Sequence, residues 1–260
     1  MAEKIVAVVP GRMGSGRLPG KMLLPLGGKP LLGHILDRLT CCPLLDQVVF
    51  ATSTRPENDA LQHYCAARGT AVFRGDEDDV LGRLRQALDA HQATLGVLVF
   101  GDQPLVDPEI IEKMVQFFLE RRTACDWVGN TRMTTFPPGT EAEVFAMTSL
   151  RDADAQTRDP RIREHATLFL RNHPERYRLF NVVAPPELAH PNLYIEVDVA
   201  EDVTLVETIL AHFAPRDIFG LREILDFMKS RPQLQEINGR VHRRWKEFRS
   251  EIRENVFVLT

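Results

Sequence analysis

The first half of the chain alternates between short apolar runs and segments with helical spacing. Residues 5–9, Ile-Val-Ala-Val-Val, are continuously apolar, the pattern of a strand buried on both faces. A glycine-rich loop follows, and residues 23–30 read as a connector. Pro30 stands where a helix over residues 31–39 would begin, with Leu31, Ile35 and Leu39 on one face. Residues 47–52 form a second apolar strand, closed by Thr52-Ser53-Thr54. A helix over 56–67 ends near Gly69, and a short strand over 70–73 stops at Arg74-Gly75. Residues 80–91 form the next helix. Residues 95–100 are the most strand-like run, and Asp107-Pro108 opens a helix reaching Arg121. Strand and helix in turn predict an α/β fold with a mainly parallel, doubly wound sheet.

The second half is less regular. Residues 126–130 read as a strand and Phe136-Pro137-Pro138-Gly139 as a turn. Residues 141–147 alternate like a half-buried strand. A charged stretch, 158–176, is helical across 163–168. Residues 179–184 and 192–199 read as two more strands, before a helix over 200–213. From Pro215 the composition shifts. The division expected is a main domain over 1–214, with an acceptor and dimerisation lobe at about 126–192, and a helical extension over 215–260. Within that extension, residues 240–253 are basic and amphipathic around Trp245 and Phe248, fitting either a basic surface or a helix packed on its apolar side.

The loop after the first strand carries the chemistry. It runs Val9-Pro10-Gly11-Arg12-Met13-Gly14-Ser15-Gly16-Arg17-Leu18-Pro19-Gly20-Lys21. Glycines let backbone N–H groups approach a ligand, and three cations beside them suit a polyphosphate. The P-loop pattern fails at Ser15 and Met22, and the dinucleotide fingerprint G-x-G-x-x-G fails at Pro19. An exposed basic turn without a ligand remains open at this point. In doubly wound sheets ligands bind beyond the carboxyl ends of the strands. Thr52, Arg74 and Asp102 all fall at that edge with the loop. Asp102 and Asp198 each directly follow an apolar strand and are expected at a strand end facing the crevice, and two such carboxylates opposite a phosphate loop can hold Mg²⁺ together with substrate oxygens. Either could instead cap the following helix, as could the acids at 76–79.

Composition narrows the partners. A net charge of −4 over 260 residues gives no reason to expect nucleic acid. No apolar run approaches the roughly 20 residues a membrane span needs. The amino terminus shows no signal peptide, and four cysteines without a C-x-x-C pair read as reduced thiols, so a cytoplasmic protein is expected. Eight scattered histidines offer no zinc spacing.

Residues 10–21 resemble the signature of the sugar cytidylyltransferases, the group containing the 3-deoxy-manno-octulosonate and acylneuraminate enzymes. The spore-coat polysaccharide branch is the closer match. Its features recur as Arg74-Gly75, Asp79-Val80-Leu81 with Arg83, Gly101-Asp102-Gln103-Pro104-Leu105-Val106-Asp107, Pro138-Gly139, Glu143-Val144-Phe145, Glu164-His165-Ala166-Thr167, and Val197-Asp198 with Glu201-Asp202. The resemblance implies a Rossmann-like nucleotidyltransferase fold, a homodimer, and transfer of CMP from CTP to an acidic sugar with release of pyrophosphate. It implies that Arg12 and Lys21 grip the triphosphate and act in catalysis. Pro10, Gly11, Gly14, Ser15, Thr52, Arg74, Asp79 and Asp102 would serve the nucleotide. Asn130, Glu143, Glu164 and His165 would face the acceptor, and Asp102 and Asp198 would hold Mg²⁺. Arg17 is left between ligand and structural cation. Gly11 and Gly16 replace the family's usual Ala and Thr, loosening the loop. Phe100 stands where the octulosonate enzymes carry Gln, which points away from that acceptor. Two alternatives stand beside this reading: a transferase for another nucleotide and a sugar phosphate, and a non-catalytic nucleotide sensor or scaffold.

Overall fold

The computed structural model describes residues 3–247 and 255–259. In chain order it holds β1 (Ile5–Pro10), β2 (Pro25–Leu26), β3 (Lys29–Pro30), α1 (Leu31–Thr40), β4 (Gln47–Ser53), α2 (Asp59–Ala67), β5 (Ala71–Gly75), α3 (Val80–Ala90), β6 (Leu95–Val99) and α4 (Pro108–Glu120). There follow β7 (Trp127–Gly129), β8 (Ala142–Ala146), α5 (Met147–Gln156), α6 (Pro160–Arg163), α7 (Leu168–Asn172), β9 (Leu179–Val183), α8 (Ala200–Phe213), α9 (Leu221–Ser230) and β10 (Val256–Val258). Eight strands form one sheet in the order β10-β9-β7-β8-β6-β1-β4-β5. Only β8 runs against its neighbours, pairing antiparallel with β6 and β7.

The apolar strands are buried on both faces, as their composition requires. Ile5, Ala7 and Val9 of β1 face one core with α1, α2, α4, α8 and α9, while Val6 and Val8 face a second with α3, α5 and α7. The chain passes from β1 outward through β4 and β5, then returns to β6 on the other side of β1. The strand order therefore reverses between β1 and β6, and their carboxyl ends frame the crevice where such folds bind ligands.

Several expectations need correction. Residues 192–199 form no strand. They cross the carboxyl ends of the sheet as an extended loop, with Ile195 N donating to Pro138 O (2.8 Å) and Val197 N to Asp102 O (2.8 Å). Every residue from Leu193 to Asp198 is buried, which gives the segment the apolar content of a strand without a ladder. β8 is buried along its whole length instead of on one face, because it lies between β6 and β7 inside the sheet. The helix expected over 163–168 is broken into α6 and α7. The extension after 214 is not wholly helical: α9 is joined by turns, and β10 pairs with β9 at the sheet edge. Of the basic stretch 240–253, the described part holds a 3-10 turn over Arg244–Glu247, and Phe248 lies outside the described residues. Among the described residues no helix is long and apolar enough to cross a membrane.

Cys41 is exposed, while Cys42, Cys65 and Cys125 are buried. Burial pushes the Cys42 thiol up to about 11, and the Cys65 and Cys125 thiols up to about 12. One thiol is therefore expected to react promptly with a disulfide reagent at pH 8 in the native protein, and all four after denaturation. Prompt native reaction of more than one would contradict this packing.

Candidate active site

The glycine loop is fastened at both ends. Gly11 N donates to Ala51 O (3.2 Å), prolonging the pairing of β1 with β4. The Met13 carbonyl accepts from both Ser15 N and Gly20 N (2.9 Å each), which folds the loop onto itself. Asn58 takes Met13 N at 2.8 Å and donates to Ser53 Oγ at 2.7 Å, tying the loop to the end of β4. Gly20 has φ 74°, a left-handed turn that delivers Lys21 inward. Gly11 does not loosen the loop as expected: a Cβ there would lie 2.6 Å from Met22 Cε and 2.8 Å from the Phe50 ring. Gly16 has open space around it.

The three loop cations part company. Arg12 pairs with Glu77 (2.9 Å) in the acidic turn after β5. Burial pushes the Glu77 carboxyl up, but hydrogen bonds from Ser53 and Arg12 and the charges of Arg12 and Arg55 outweigh it and leave the group below its usual range. Arg83, itself buried, donates to the carbonyls of Asp76 and Glu77 and holds that turn in place. Lys21 and Arg17 go the other way, onto Asp198. Lys21 Nζ lies 2.9 Å from Asp198 Oδ1, 3.0 Å from Val197 O and 3.8 Å from Asp102 Oδ2, and Arg17 lies 2.6 Å from Asp198 Oδ2.

Asp102 and Asp198 reach Lys21 by different routes. Asp102 sits in the turn beyond β6, where Gly101 approaches β1 so closely that a Cβ would lie 2.4 Å from Pro10 O. Asp198 arrives on the crossing loop, not at a strand end. Burial pushes the Asp102 carboxyl up to about 6, with the charges of Asp198 and Glu141 adding and Lys21 opposing. Burial also acts on Asp198, but Lys21 and Arg17 outweigh it and hold that carboxyl below its usual range. Lys21 is raised: burial disfavours its charge, and the two aspartates more than compensate. Glu196 is pushed up to about 8 by burial and by Glu141 and Asp102.

A cleft of about 280 Å³ opens beside the loop. Pro10, Gly11, Arg12, Arg83, Phe100, Glu164, His165, Thr167 and Arg171 line it. Burial lowers the His165 pKa and so favours its neutral ring. Glu143 lies beneath the cleft, fully buried, and accepts from Trp127 Nε1 (3.0 Å), Thr131 Oγ1 (2.7 Å) and Thr167 Oγ1. It supports the cleft wall and does not face the opening. The hydroxyl of Thr52, Oε2 of Glu77 and the Nε atoms of Arg83 and Arg171 are buried without a hydrogen-bond partner. Of these four residues Arg83 and Arg171 line the cleft, and Arg171 Nε lies 3.6 Å from Glu143 Oε1. Unpartnered buried polar groups are uncommon in native interiors, and a polar ligand in the cleft would give the Arg83 side chain a further partner.

Other expected site residues lie apart from this cleft or are otherwise engaged. Arg74 binds Ser53 O (2.9 Å), Arg55 O, Asp59 and Gln62. Asp79 caps α3 through Gly82 N (2.9 Å) and pairs with Arg163. Asn130 closes the turn before β8 through Thr140 O and Ala142 N. Gly14 is exposed at the rim near Glu57, and Ser15 is partly exposed. Reading residue types missed the partners: Glu77 for Arg12, Arg171 in the cleft, Asn58 under the loop, and Glu196 and Arg243 behind Asp198. Asp202 had a signal, an acid in the first turn of α8. Arg243 had none, since its partner is 41 residues away.

The donor set fits a hard divalent cation. Asp102 and Asp198 offer only oxygens, and among the described residues no group of three or more His, Cys, Asp or Glu forms a cage. Two carboxylates completed by ligand oxygens is how Mg²⁺ is usually held.

Residues 6–214 match the family described as cytidylyltransferase. The chain is 32% identical over 241 residues to the uncharacterized protein MJ1063 of Methanocaldococcus jannaschii, covering 93% of this chain and 97% of that one. It is 30% identical over 233 residues to the spore coat polysaccharide biosynthesis protein SpsF of Bacillus subtilis, covering 88% and 95%. The solved structure of a cytidylyltransferase from Leptospira borgpetersenii superposes with a TM-score of 0.85 at 28% identity, over 90% of this chain and 97% of that chain.

Proposed function

The chain belongs to the cytidylyltransferase family and is a nucleotidyltransferase, and on that premise we propose that it transfers CMP from CTP to an acidic acceptor. The acceptor is a sugar acid of the 3-deoxy-ulosonic type, or a phosphate or phosphonate. Its oxygen attacks the α-phosphorus in line, the bond to the β-phosphate breaks, and pyrophosphate leaves. The observation that carries this reading is Lys21 between Asp198 and Asp102, beside a glycine loop at the carboxyl ends of β1 and β6.

Lys21, whose charged form the aspartates favour, meets the negative charge that builds on the triphosphate as the bond breaks. Arg12 reaches the same ligand by exchanging Glu77 for phosphate. The glycine loop adds backbone N–H donors in fixed positions, so little reorganisation accompanies the reaction. Arg171 and Arg83 give the cleft the charge an acidic acceptor requires, and His165 offers a neutral nitrogen to an acceptor hydroxyl. A divalent cation held by Asp102 and Asp198, Mg²⁺ in this reading, would neutralise phosphate charge at the reacting centre.

The test is a nucleotide panel. Melting is followed with CTP, UTP, GTP and ATP, each with Mg²⁺, and pyrophosphate is assayed with sugar acids, phosphonates and sugar phosphates as acceptors. A ligand at 100 times its Kd stabilises by about 2.7 kcal/mol, so CTP is expected to raise Tm above the other three. Stabilisation and pyrophosphate release with another nucleotide alone would replace CTP. Tight CTP binding without turnover on a broad panel would favour a sensor.

A further inference from the structure

The family match ends at residue 214, yet residues 238–246 close over the back of the Asp198 turn. The link is Asp202, which is fully buried. Its Oδ2 accepts from the backbone N–H of Asp198 (2.9 Å) and of Val199 (3.1 Å). Arg243, also buried, lies across the same carboxylate with both terminal nitrogens, 2.9 Å to Oδ2 and 2.7 Å to Oδ1. Asn238 Nδ2 donates to Asp202 Oδ1 (2.8 Å) and to Tyr194 O (2.9 Å). Trp245 Nε1 donates to Glu196 Oε1 (2.8 Å), and Arg243 stands 3.4 Å from that oxygen. The loop carrying Asp198 is therefore clamped on its inner side by Pro138 O and Asp102 O, and on its outer side by the extension.

We infer that Arg243 is a positioning residue: by gripping Asp202 it sets the turn that aims the Asp198 carboxylate at Lys21 and at the divalent cation. The inference rests on the role given to Asp198 in the proposed function. A buried ion pair is a weak source of stability compared with apolar packing of the same volume, so tight packing alone does not call for Arg243. What the guanidinium supplies is direction. Two parallel hydrogen bonds fix the plane of the Asp202 carboxylate, and that plane fixes which lone pairs meet the two amides. Partners of this kind, one step removed from a metal, typically change affinity or activity by 10–100-fold when lost. The extension thereby becomes part of the active site without touching substrate.

The test uses the full-length protein with Arg243→Met and Arg243→Lys. Mn²⁺ binding in the presence of CTP is read by electron paramagnetic resonance, alongside kcat and KM for CTP and a melting curve. In Arg243→Met the half-saturating Mn²⁺ concentration is expected to rise about tenfold or more, with kcat falling and KM for CTP changing less, and Arg243→Lys is expected to recover part of the loss. A folded Arg243→Met with parental Mn²⁺ binding and kcat overturns the inference. If that variant does not fold, Asn238→Ala, which removes one donor and no charge, decides: raised half-saturation supports the role, and a parental value overturns it. A wild-type protein that neither turns over CTP nor binds Mn²⁺ with it refutes the functional reading instead. Amide exchange at Asp198 and Val199 then decides the positioning: selective acceleration in a folded Arg243→Met supports it, and parental rates overturn it.

Discussion

Replacing Lys21 by alanine is expected to slow pyrophosphate release roughly 10²–10³-fold at saturating CTP, the scale for removing one preorganised charge from a reacting centre. Lys21 is the group on which the site converges, 2.9 Å from Asp198 and 3.8 Å from Asp102, and it is itself largely buried. Its removal acts twice. The charge that meets the triphosphate is lost, and Asp102 loses the cation that most opposes the burial that pushes it up to about 6. Deleting one partner of a buried pair can also cost about 3–5 kcal/mol, so the melting curve must accompany the rate. A folded Lys21→Ala protein slowed less than about threefold, against the loss expected for such a donor, would remove Lys21 from the mechanism.

Gly139→Ala is expected to lower stability sharply without removing any charge. Gly139 has φ 110°, and a Cβ would lie 2.5 Å from Glu196 N and 2.6 Å from the Ile195 carbonyl carbon. Both obstacles are backbone, so no side-chain rotation relieves them. The same turn delivers Pro138 O to Ile195 N and uses Glu141 to accept from Gly139 N (2.7 Å) and from Gln103 Nε2 (2.9 Å), next to Asp102. Backbone strain and overpacking each cost about 1–3 kcal/mol, giving a loss of about 4 kcal/mol. At about 2–4 °C per kcal/mol, Tm is expected to fall by roughly 10 °C. Turnover should fall with it, because the loop carrying Asp198 is displaced. Gly16→Ala is the control: its Cβ meets nothing within 4 Å, and the expected change is within about 0.5 kcal/mol. Equal melting of the two variants would show that residues 195–198 yield freely.

The sheet was legible because buried parallel strands must be apolar throughout. β1, β4 and β6 announce themselves, and Asp107 and Asp79 mark helix starts that the structure confirms with side-chain caps of 2.9 Å. Where burial and pairing come apart, the pattern misleads. Residues 192–199 look like a strand because Leu193, Ile195 and Val197 fill the core, with the residues between them buried too, but the amides of those three bind loops and not a neighbouring strand. β10 is short, distant in sequence and at the edge, so no local periodicity announces it as a strand of the main sheet.

For the site, the sequence by itself determined the loop of glycines and cations, the edge of the sheet at which it lies, and the family to which the chain belongs. Those are local properties: residue types, spacing, and the rule that a strand's end faces the crevice. Only the tertiary structure decided the partners. It sent Arg12 to Glu77 but Arg17 and Lys21 to Asp198, engaged Arg74 with the ends of β4 and α2, sank Glu143 beneath the cleft, and brought Arg243 onto Asp202. The physical reason is that a charge in a low-dielectric interior must be paired by whatever the fold brings near, and proximity in space leaves no trace in the spacing of residues along the chain.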